Sequence, residues 1–267
     1  MIGIDGVRPD ALVAAETPNM DGLMANGTYS LDALNSGITI SGPGWSSLLT
    51  GVWPDKHGVT DNSFNGQNYE NFPHLFQRIE EFNPDLNTYS ISQWHPINDE
   101  IASGVADAVN DVDNHSDYVA EAAIEVLSQN DPDILFLHFD DVDHAGHKHG
   151  YGPHVPRYLD SIESTDILVG KIIAELERRD TYEKENWLII LTTDHGGIRK
   201  GHGGKTPQES TIFFIAHGKS ALKGELKTQV DVVDVAVTAM AHLGVAIDPA
   251  WNLDGQIQGI RITGQEY

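Results

Sequence analysis

The sequence predicts an α/β fold with a mostly parallel central sheet and helices on both of its faces. Two observations predict the sheet. Short apolar runs alternate along the chain with segments of helical spacing, and the runs are apolar throughout rather than on every second residue. Strands buried on both faces have this continuous apolar pattern, and strands that alternate with helices indicate parallel pairing. The 267 residues suffice for one large core, and we expect a single domain over residues 1–267.

Five apolar runs are predicted as strands. The first ends in Asp5 and Gly6, as a buried strand that reaches a site does, and the third follows the turn signal Asn130-Asp131-Pro132. The predicted strands are Met1–Asp5, Thr88–Trp94, Ile134–Phe139, Trp187–Leu191 and Thr211–Ala216.

Six segments are predicted as helices. Thr17 can cap the first of them, Pro18 suits the first helical position, and Gly27 follows its end. The longest has an apolar stripe at helical spacing. The predicted helices are Thr17–Ala25, Gly44–Thr50, Phe72–Phe82, Asp117–Gln129, Pro156–Arg179 and Val230–Leu243, and the polar stretches Asn62–Asn71 and Asp99–Asn114 are predicted as loops or small insertions.

The composition excludes several classes of function. With 40 acidic residues against 16 Lys and Arg, the formal net charge is −24, which argues against a nucleic-acid-binding surface or docking to an anionic membrane. There is no cysteine, so disulfides and thiolate metal sites are excluded. No apolar run is long enough to cross a bilayer, and no signal peptide is visible. We expect a soluble protein and leave its compartment open, including an exported protein whose leader has been trimmed.

Acidic residues and histidines gather where the predicted strands end. In open parallel sheets ligands bind outside the carboxyl ends of the strands, so these groups are expected to converge on one edge. Asp oxygens and neutral His nitrogens are ligands for zinc-like ions, and two groups of them suit a pair of ions that clamp a phosphoryl group. The groups that follow the strand ends are Asp5, Asp140, Asp141, Asp143, His147, Asp194, His195 and His202.

Ser41 is the candidate nucleophile. It precedes the predicted helix Gly44–Thr50, where the helix dipole and free backbone N–H groups favour an anion, and the glycines Gly42 and Gly44 let phosphoryl oxygens approach the backbone. The alternative is that Ser41 only caps this helix. The rival hydroxyls in the segment belong to Thr39, Ser46 and Ser47.

These motifs resemble the alkaline phosphatase superfamily. The segment from Ser41 to Gly51 is similar to the nucleophile segment of type I phosphodiesterases, in which a Thr or Ser is followed two residues later by Pro and then by a helix that ends in Thr-Gly. The chain is identified as nearest to the type I phosphodiesterase/nucleotide pyrophosphatase branch. The likeness continues in family order with Trp53-Pro54, His57-Gly58, Asp143 to Gly146-His147, Asp194-His195-Gly196, Gly201-His202-Gly203-Gly204, the closing helix within Val230–Gly244 and Leu253-Asp254-Gly255.

The resemblance implies a two-metal hydrolase of small-molecule phosphate esters that works through a phosphoseryl intermediate. It implies two divalent ions, zinc or alternatively manganese. One would be held by Asp143, His147 and His202. The other would be held by Asp5, Asp194 and His195, with the Ser41 oxygen reaching it.

Two departures from the family pattern bear on the substrate. Trp45 stands where sulfatases of the superfamily have Arg, which argues against a sulfatase function. Gly44 stands where the phosphodiesterases usually have an Asn that helps to hold a phosphoryl oxygen, so another donor is needed, and Lys205, Ser46 and Ser47 are candidates. If the space beside Gly44 is free, Gly44→Asn should raise diesterase activity. A phosphomonoesterase, a phosphonate hydrolase and a metal-binding protein without catalysis stay open as alternatives.

Other polar residues near these motifs have simpler interpretations. His138 lies inside an apolar run and is expected to be a hydrogen-bonded core histidine, and Trp45 is expected in the core or on the surface. Asp140 and Asp141 are expected to support the ligands or to lie on the surface.

Overall fold

A mixed sheet of eight strands forms the centre of the molecule in the computed structural model, which describes residues 1–102, 104, 106, 108–111 and 115–262. The spatial order of the strands is β4-β3-β5-β1-β6-β7-β2-β8. The five strands from β4 to β6 in this order pair in parallel, whereas β7 is antiparallel to both of its neighbours. The strands are β1 (Ile2–Ile4), β2 (Thr28–Leu34), β3 (Thr88–Ser92), β4 (Ala108–Asp111), β5 (Ile134–Phe139), β6 (Leu188–Thr192), β7 (Thr211–Gly218) and β8 (Gly224–Glu225).

Helices cover both faces of this sheet. The described α-helices are α1 (Pro9–Ala14), α2 (Pro18–Asn26), α3 (Ser41–Thr50), α4 (Pro54–His57), α5 (Leu75–Phe82), α6 (Ser116–Gln129), α7 (Asp141–His149), α8 (Pro156–Glu177), α9 (Pro207–Ser210) and α10 (Asp234–His242). One buried apolar cluster joins α1, α2, α6, α7 and α8 to the sheet, and a second joins α3, α5 and α10. In β5, Leu135 and Leu137 face the first cluster and Ile134 and Phe136 the second. This alternation is why the strand is apolar along its whole length.

The predicted architecture is therefore confirmed, with local corrections. The strand Ile134–Phe139 has the bounds that were predicted. Helix α3 begins at Ser41 rather than Gly44, because Pro43 is tolerated in a first helical turn. Ile40 is the residue that precedes this helix and Ser41 is already helical, so the interpretation of Ser41 as a helix cap is wrong.

Several further elements were not predicted from the sequence, among them the helices α1, α4, α7 and α9 and the strands β2, β4 and β8. Strand β2 alternates Thr28, Ser30 and Asp32 with larger residues, and this polar content hid it. Part of the predicted loop Asp99–Asn114 is structured, because Ile97–Ile101 forms a π-helical turn and β4 follows; residues 103, 105, 107 and 112–114 lie outside the described part of the chain. Among the residues that the structure describes, no helix has the length and apolarity needed to cross a membrane.

Candidate metal centre and nucleophile

The carboxyl ends of three adjacent parallel strands bring the candidate ligands together. β1 lies between β5 and β6, and Asp5 and Asp194 follow the ends of β1 and β6. The chain leaves β5 directly into α7, a helix that the sequence analysis did not predict. Asp143 and His147 are four residues apart on this helix and so lie on the same face, one turn apart.

An outer cluster consists of Asp143, His147 and His202. The Nε2 atom of His147 lies 3.1 Å from Asp143 Oδ2, and that of His202 lies 3.8 Å from Asp143 Oδ1. The two Nε2 atoms are 3.0 Å apart. The His147 side chain is 46% exposed, so this cluster opens to solvent.

An inner cluster consists of Asp5, Asp194 and His195, each at most 1% exposed. The Nε2 atom of His195 lies 3.5 Å from Asp5 Oδ1 and 3.3 Å from Asp194 Oδ2. All six predicted ligands thus lie in the two groups that the resemblance implied, and ligand atoms within each group are close enough to share one ion.

Hydrogen bonds orient all three histidines with Nε2 toward the carboxylates. In each ring Nδ1 lies next to a backbone carbonyl oxygen, so Nδ1 carries the donating proton and Nε2 keeps its lone pair when the ring is neutral. Two such lone pairs at 3.0 Å repel unless a proton or a cation lies between them. The carbonyls belong to Lys200 for His147, Gly196 for His195 and Thr39 for His202, at 3.1, 2.9 and 2.9 Å.

Three carboxylate oxygens of the inner cluster have no hydrogen-bond partner although they are buried. They are Oδ1 of Asp5 and both oxygens of Asp194. Burial, together with the charges of Asp5 and Asp143, raises the pKa of Asp194 well above its usual value. An unpaired buried charge is expensive, and a cation is the partner that satisfies it. The residues present therefore fit divalent ions, because they offer neutral nitrogens and unpaired carboxylate oxygens.

Asp5 is held in place by two residues to which the sequence analysis gave simpler interpretations. Trp45 Nε1 donates to Asp5 Oδ2 at 2.9 Å, and His138 Nε2 lies 3.3 Å from the same oxygen. The His138 Nδ1 atom accepts from Trp94 N at 3.4 Å, so its Nε2 is the donor. A third group of side chains that lie close enough to hold an ion consists of Asp5, His138 and Asp140. Because His138 Nε2 donates to Asp5, however, His138 orients this candidate ligand and does not itself offer a lone pair to an ion. Only the proximity of His138 to an acid in space reveals this role.

Tyr151 and Thr39 position the outer cluster. The Tyr151 hydroxyl donates to Asp143 Oδ1 at 2.5 Å. The Thr39 hydroxyl donates to Gly204 O at 2.7 Å and accepts from Gly203 N at 3.1 Å, which ties the loop of His202 to the chain just before α3. No sequence motif indicated these contacts, because the partners of Thr39 are distant in sequence and Tyr151 reaches Asp143 across the turn that follows α7.

Ser41 lies beside the inner cluster, with Oγ 3.5 Å from His195 Nε2. Its rivals are engaged elsewhere: Thr39 bonds to the His202 loop, Ser46 donates to Gly42 O at 2.6 Å, and Ser47 lies 3.0 Å from His57 Nε2. These three are at most 1% exposed, whereas Ser41 is 8% exposed. Within its segment, Ser41 has the hydroxyl that faces the clusters.

The predicted substrate residues have different surroundings. Gly42 N donates to Asn62 Oδ1 at 2.8 Å, so this N–H is already bonded. A Cβ atom on Gly44 would lie 3.0 Å from both Cβ and Oδ2 of Asp194. The space beside Gly44 is therefore filled by a candidate ligand, which corrects the expectation that it might be open. Lys205 is exposed on the loop after His202.

We accordingly expect Gly44→Ala and Gly44→Asn to lower activity rather than raise it. Either side chain pushes on Asp194, which is buried and has no room to move without shifting the inner cluster. Zinc content measured by elemental analysis should fall together with turnover. Gly22→Ala is a matched control, because a Cβ atom there meets no other atom within 4 Å. A Gly44→Ala protein with full activity and full metal content would contradict this reading of the site.

Metal uptake by the outer cluster should depend on pH. The hydrogen bond with Asp143 raises the pKa of His147 to about 9. In the metal-free protein this ring is therefore protonated at neutral pH, and an entering ion must displace the proton. The affinity for zinc should rise about tenfold per pH unit from about pH 7 to pH 9 and then level off. Competition titrations with a chelator test this, and His147→Asn should flatten the profile; an equally steep profile in that variant would assign the proton elsewhere.

The chain is similar to proteins named as pyrophosphatases and phosphodiesterases. The chain is 26% identical over 224 residues to an uncharacterised pyrophosphatase/phosphodiesterase of Schizosaccharomyces pombe, covering 73% of this chain and 44% of that protein. It is 24% identical over 218 residues to ectonucleotide pyrophosphatase/phosphodiesterase family member 7 of Rattus norvegicus, covering 73% and 49%. It thus spans less than half the length of these two relatives. Murine ectonucleotide pyrophosphatase/phosphodiesterase 5 shares the fold, with a TM-score of 0.73, 17% identity and coverage of 92% and 94%.

The match to the type I phosphodiesterase/nucleotide pyrophosphatase family model, together with the relatives above, defines the class as the alkaline phosphatase superfamily, and the sheet has the fold of its solved members. A 2-O GAG sulfatase also shares this fold, with a TM-score of 0.74 and 13% identity over 96% of this chain and 72% of that chain. The sequence profile of the type I phosphodiesterase/nucleotide pyrophosphatase family matches residues 1–77 and 67–200, and the chain belongs to this family.

Proposed function

We propose that this chain hydrolyses phosphoric esters as a phosphodiesterase or nucleotide pyrophosphatase, with Ser41 as its nucleophile. The observation that carries the proposal is the position of the Ser41 hydroxyl. It lies beside the inner group of Asp and His residues at the first turn of α3, while the neighbouring hydroxyls are more deeply buried and bonded elsewhere. The family, and relatives named as pyrophosphatases and phosphodiesterases, support phosphate esters as the substrate class.

The proposed cofactors are two divalent ions, zinc or alternatively manganese. Asp143, His147 and His202 would hold the outer ion. Asp5, Asp194 and His195 would hold the inner ion, with Ser41 close to it. When bound, such ions supply positive charge that lowers the pKa of the serine hydroxyl and neutralises phosphoryl oxygens.

The chain's own residues account for the two transfers. The Ser41 oxygen forms a bond to phosphorus while the ester oxygen leaves, and the hydroxyl proton completes the departing alcohol. Water then attacks the phosphoseryl group, which breaks the bond to the Ser41 oxygen and returns the hydroxyl. The hydrogen bonds from Trp45 and His138 to Asp5, and from Tyr151 to Asp143, keep the ligands in place through both steps.

The test is a comparison of matched aryl phosphodiesters, phosphomonoesters and sulfate esters. The chelated protein and the same protein reconstituted with zinc or manganese are assayed on each. We expect metal-dependent hydrolysis with the diester as the preferred substrate. A metal-loaded protein that is inactive on all three would refute the proposal and favour metal binding without catalysis. Preference for the monoester would favour the phosphatase or phosphonate hydrolase alternative.

A sulfatase function is disfavoured by Trp45. This residue stands in the position of the sulfatase arginine, is completely buried, and donates to Asp5. It therefore brings no positive charge to a sulfate group. The sulfatase in the structural comparison shares the fold alone.

Transfer to an alcohol is a second candidate that one comparison favours. The chain is 26% identical over 274 residues to GPI ethanolamine phosphate transferase 2 of Schizosaccharomyces pombe, covering 91% of this chain and 36% of that protein. A phosphoseryl group that reacts with an alcohol instead of water gives a new ester. Adding a primary alcohol to the diesterase assay and identifying the products distinguishes the two outcomes.

A further inference from the structure

Tyr151 lies behind the outer cluster, buried between α7 and the loop that follows β6. A Cβ atom on Gly146 would lie 2.2 Å from Tyr151 Cε1, and one on Gly197 would lie 2.6 Å from Tyr151 Cγ. The ring thus fills the space that these two glycines leave open. The backbone of Tyr151 is fixed as well, because its N–H donates to Arg199 O at 2.7 Å.

The ring also packs edge-on against both histidines of the outer cluster. Its centroid lies 5.7 Å from that of His147 and 6.3 Å from that of His202, with interplanar angles of 80° and 82°. These contacts fix the ring from the side of the candidate ligands, while the two glycines and the backbone bond fix it from behind. The Tyr151 hydroxyl is therefore held in a set position before any ion enters.

The two carboxylate oxygens of Asp143 have different partners. Oδ1 accepts from the Tyr151 hydroxyl at 2.5 Å, and the same hydroxyl lies 3.3 Å from Asp143 O. Oδ2 lies 3.1 Å from His147 Nε2. The phenol must be the donor, because an ionised carboxylate has no proton to give. The shared proton draws charge away from Oδ1, so Oδ2 is the better of the two oxygens for holding a cation.

The number of donor atoms that the outer cluster offers depends on this hydrogen bond. With Asp143 Oδ2 and the Nε2 atoms of His147 and His202, the cluster offers three. Zinc sites with three protein donors keep the fourth position for water or substrate, whereas sites with four are closed and structural. A second oxygen from Asp143 would add a fourth donor and close the site.

We propose that Tyr151 is a positioning residue that restricts Asp143 to one oxygen and so keeps the outer ion open to a phosphoryl oxygen. The effect of Tyr151 on a substrate passes through Asp143. The proposal rests on the proposed function and adds to it the residue that decides whether the outer cluster can bind phosphate as well as metal. The exposure of the His147 side chain, 46%, leaves a side from which phosphate can enter.

Tyr151→Phe keeps the buried ring and removes only the hydroxyl. In the metal-free variant Asp143 Oδ1 is left buried without this donor, so the Tm in chelator should fall. A bound ion gives this oxygen a new partner, so the deficit should largely disappear in zinc, and zinc affinity should rise at least about fivefold. The affinity is measured by competition with a chelator in the Asp194→Asn background, where the inner ligand set is incomplete and zinc reports on the outer cluster.

Tyr158→Phe is the matched control. Tyr158 is also buried, and its ring centroid lies 5.5 Å from that of Tyr151. Its hydroxyl donates to Gly6 O at 2.6 Å and accepts from Arg8 N at 2.9 Å. Both partners are backbone atoms, so zinc does not replace the lost bonds. The Tm of this variant should fall by the same amount in chelator and in zinc, with zinc affinity unchanged, and Tyr151→Phe would behave likewise if its hydroxyl were merely structural.

Calorimetry with inorganic phosphate on the zinc-loaded proteins tests the open position directly. Phosphate affinity should fall about tenfold in Tyr151→Phe and stay unchanged in Tyr158→Phe. If wild type hydrolyses no ester, the proposed function fails, while the zinc and phosphate titrations still decide the role of Tyr151. A zinc affinity that does not rise in Tyr151→Phe, an unchanged phosphate affinity in that variant, or a wild type that binds no phosphate would overturn the proposal.

Discussion

Ser41→Ala is expected to lower turnover by about 10⁴-fold or more while both metal groups stay loaded. Removing the nucleophile from a preformed site removes the covalent route, and effects of this size are usual for such residues. Ser41 makes one side-chain contact of note, at 3.5 Å to His195, so its loss leaves the six ligand side chains and their supporting hydrogen bonds in place. The measurement is the rate on an aryl phosphodiester with zinc content determined on the same sample.

Ser46→Ala is the control for this prediction. It removes a hydroxyl from the same helix, one turn further on, and breaks bonds to Gly42 O and the Tyr69 hydroxyl. We expect a loss of about 1–2 kcal/mol of stability with turnover largely kept. If Ser41→Ala keeps wild-type turnover while Ser46→Ala loses it, Ser46 is the nucleophile and the assignment of Ser41 is wrong.

The convergence of the six candidate ligands on one edge of the sheet could be predicted because they follow strongly apolar strands. Asp5 and Asp194 come after β1 and β6, and chain order along a parallel sheet brings such ends together. The division of six residues into two groups came from the family resemblance, and the structure reproduces that division in space. The family motif from Asp143 to His147 selected this pair, although their helix was not recognised.

The residues that hold the candidate ligands in place could not be predicted from the sequence alone. Trp45 and His138 have the pattern of core residues, and they are in the core; what gives them a role is one polar atom each that reaches Asp5. Asn62 lies in a stretch whose composition predicts only a loop, and its contact with Gly42 depends on how that loop packs against α3. Contacts of this kind are set by tertiary packing, which periodicity does not encode.

The inner cluster also makes the stability of the metal-free protein depend on pH. The pKa of Asp194 is raised by burial and by the neighbouring acids. At a pH between the usual Asp pKa and the raised pKa of Asp194, the unfolded chain has lost this proton, whereas the folded chain keeps it. Folding therefore takes up a proton, and the metal-free protein loses stability as the pH rises above the usual Asp range. A bound ion removes this loss of stability, because it pairs with the ionised carboxylates.

Asp194→Asn is therefore expected to stabilise the metal-free protein while it abolishes turnover. The amide has the shape of the protonated acid and is uncharged without taking up a proton, so the cost of protonating Asp194 on folding disappears. Zinc should raise the Tm of wild type by about 5–10 °C and that of the variant far less, because the inner ligand set is incomplete.

The matched control for this prediction is Asp166→Asn. Asp166 is equally buried, but it accepts from Asn19 N, Asn19 Nδ2 and Met20 N at 3.2, 2.8 and 2.8 Å. An amide there presents donors to donors, so this variant should lose Tm with or without zinc. Thermal unfolding of all three proteins, in chelator and in zinc, distinguishes the cases. If Asp194→Asn lowers the Tm in chelator as Asp166→Asn does, then Asp194 has a structural partner in the metal-free protein, and the argument that its unpaired oxygens await a cation is wrong.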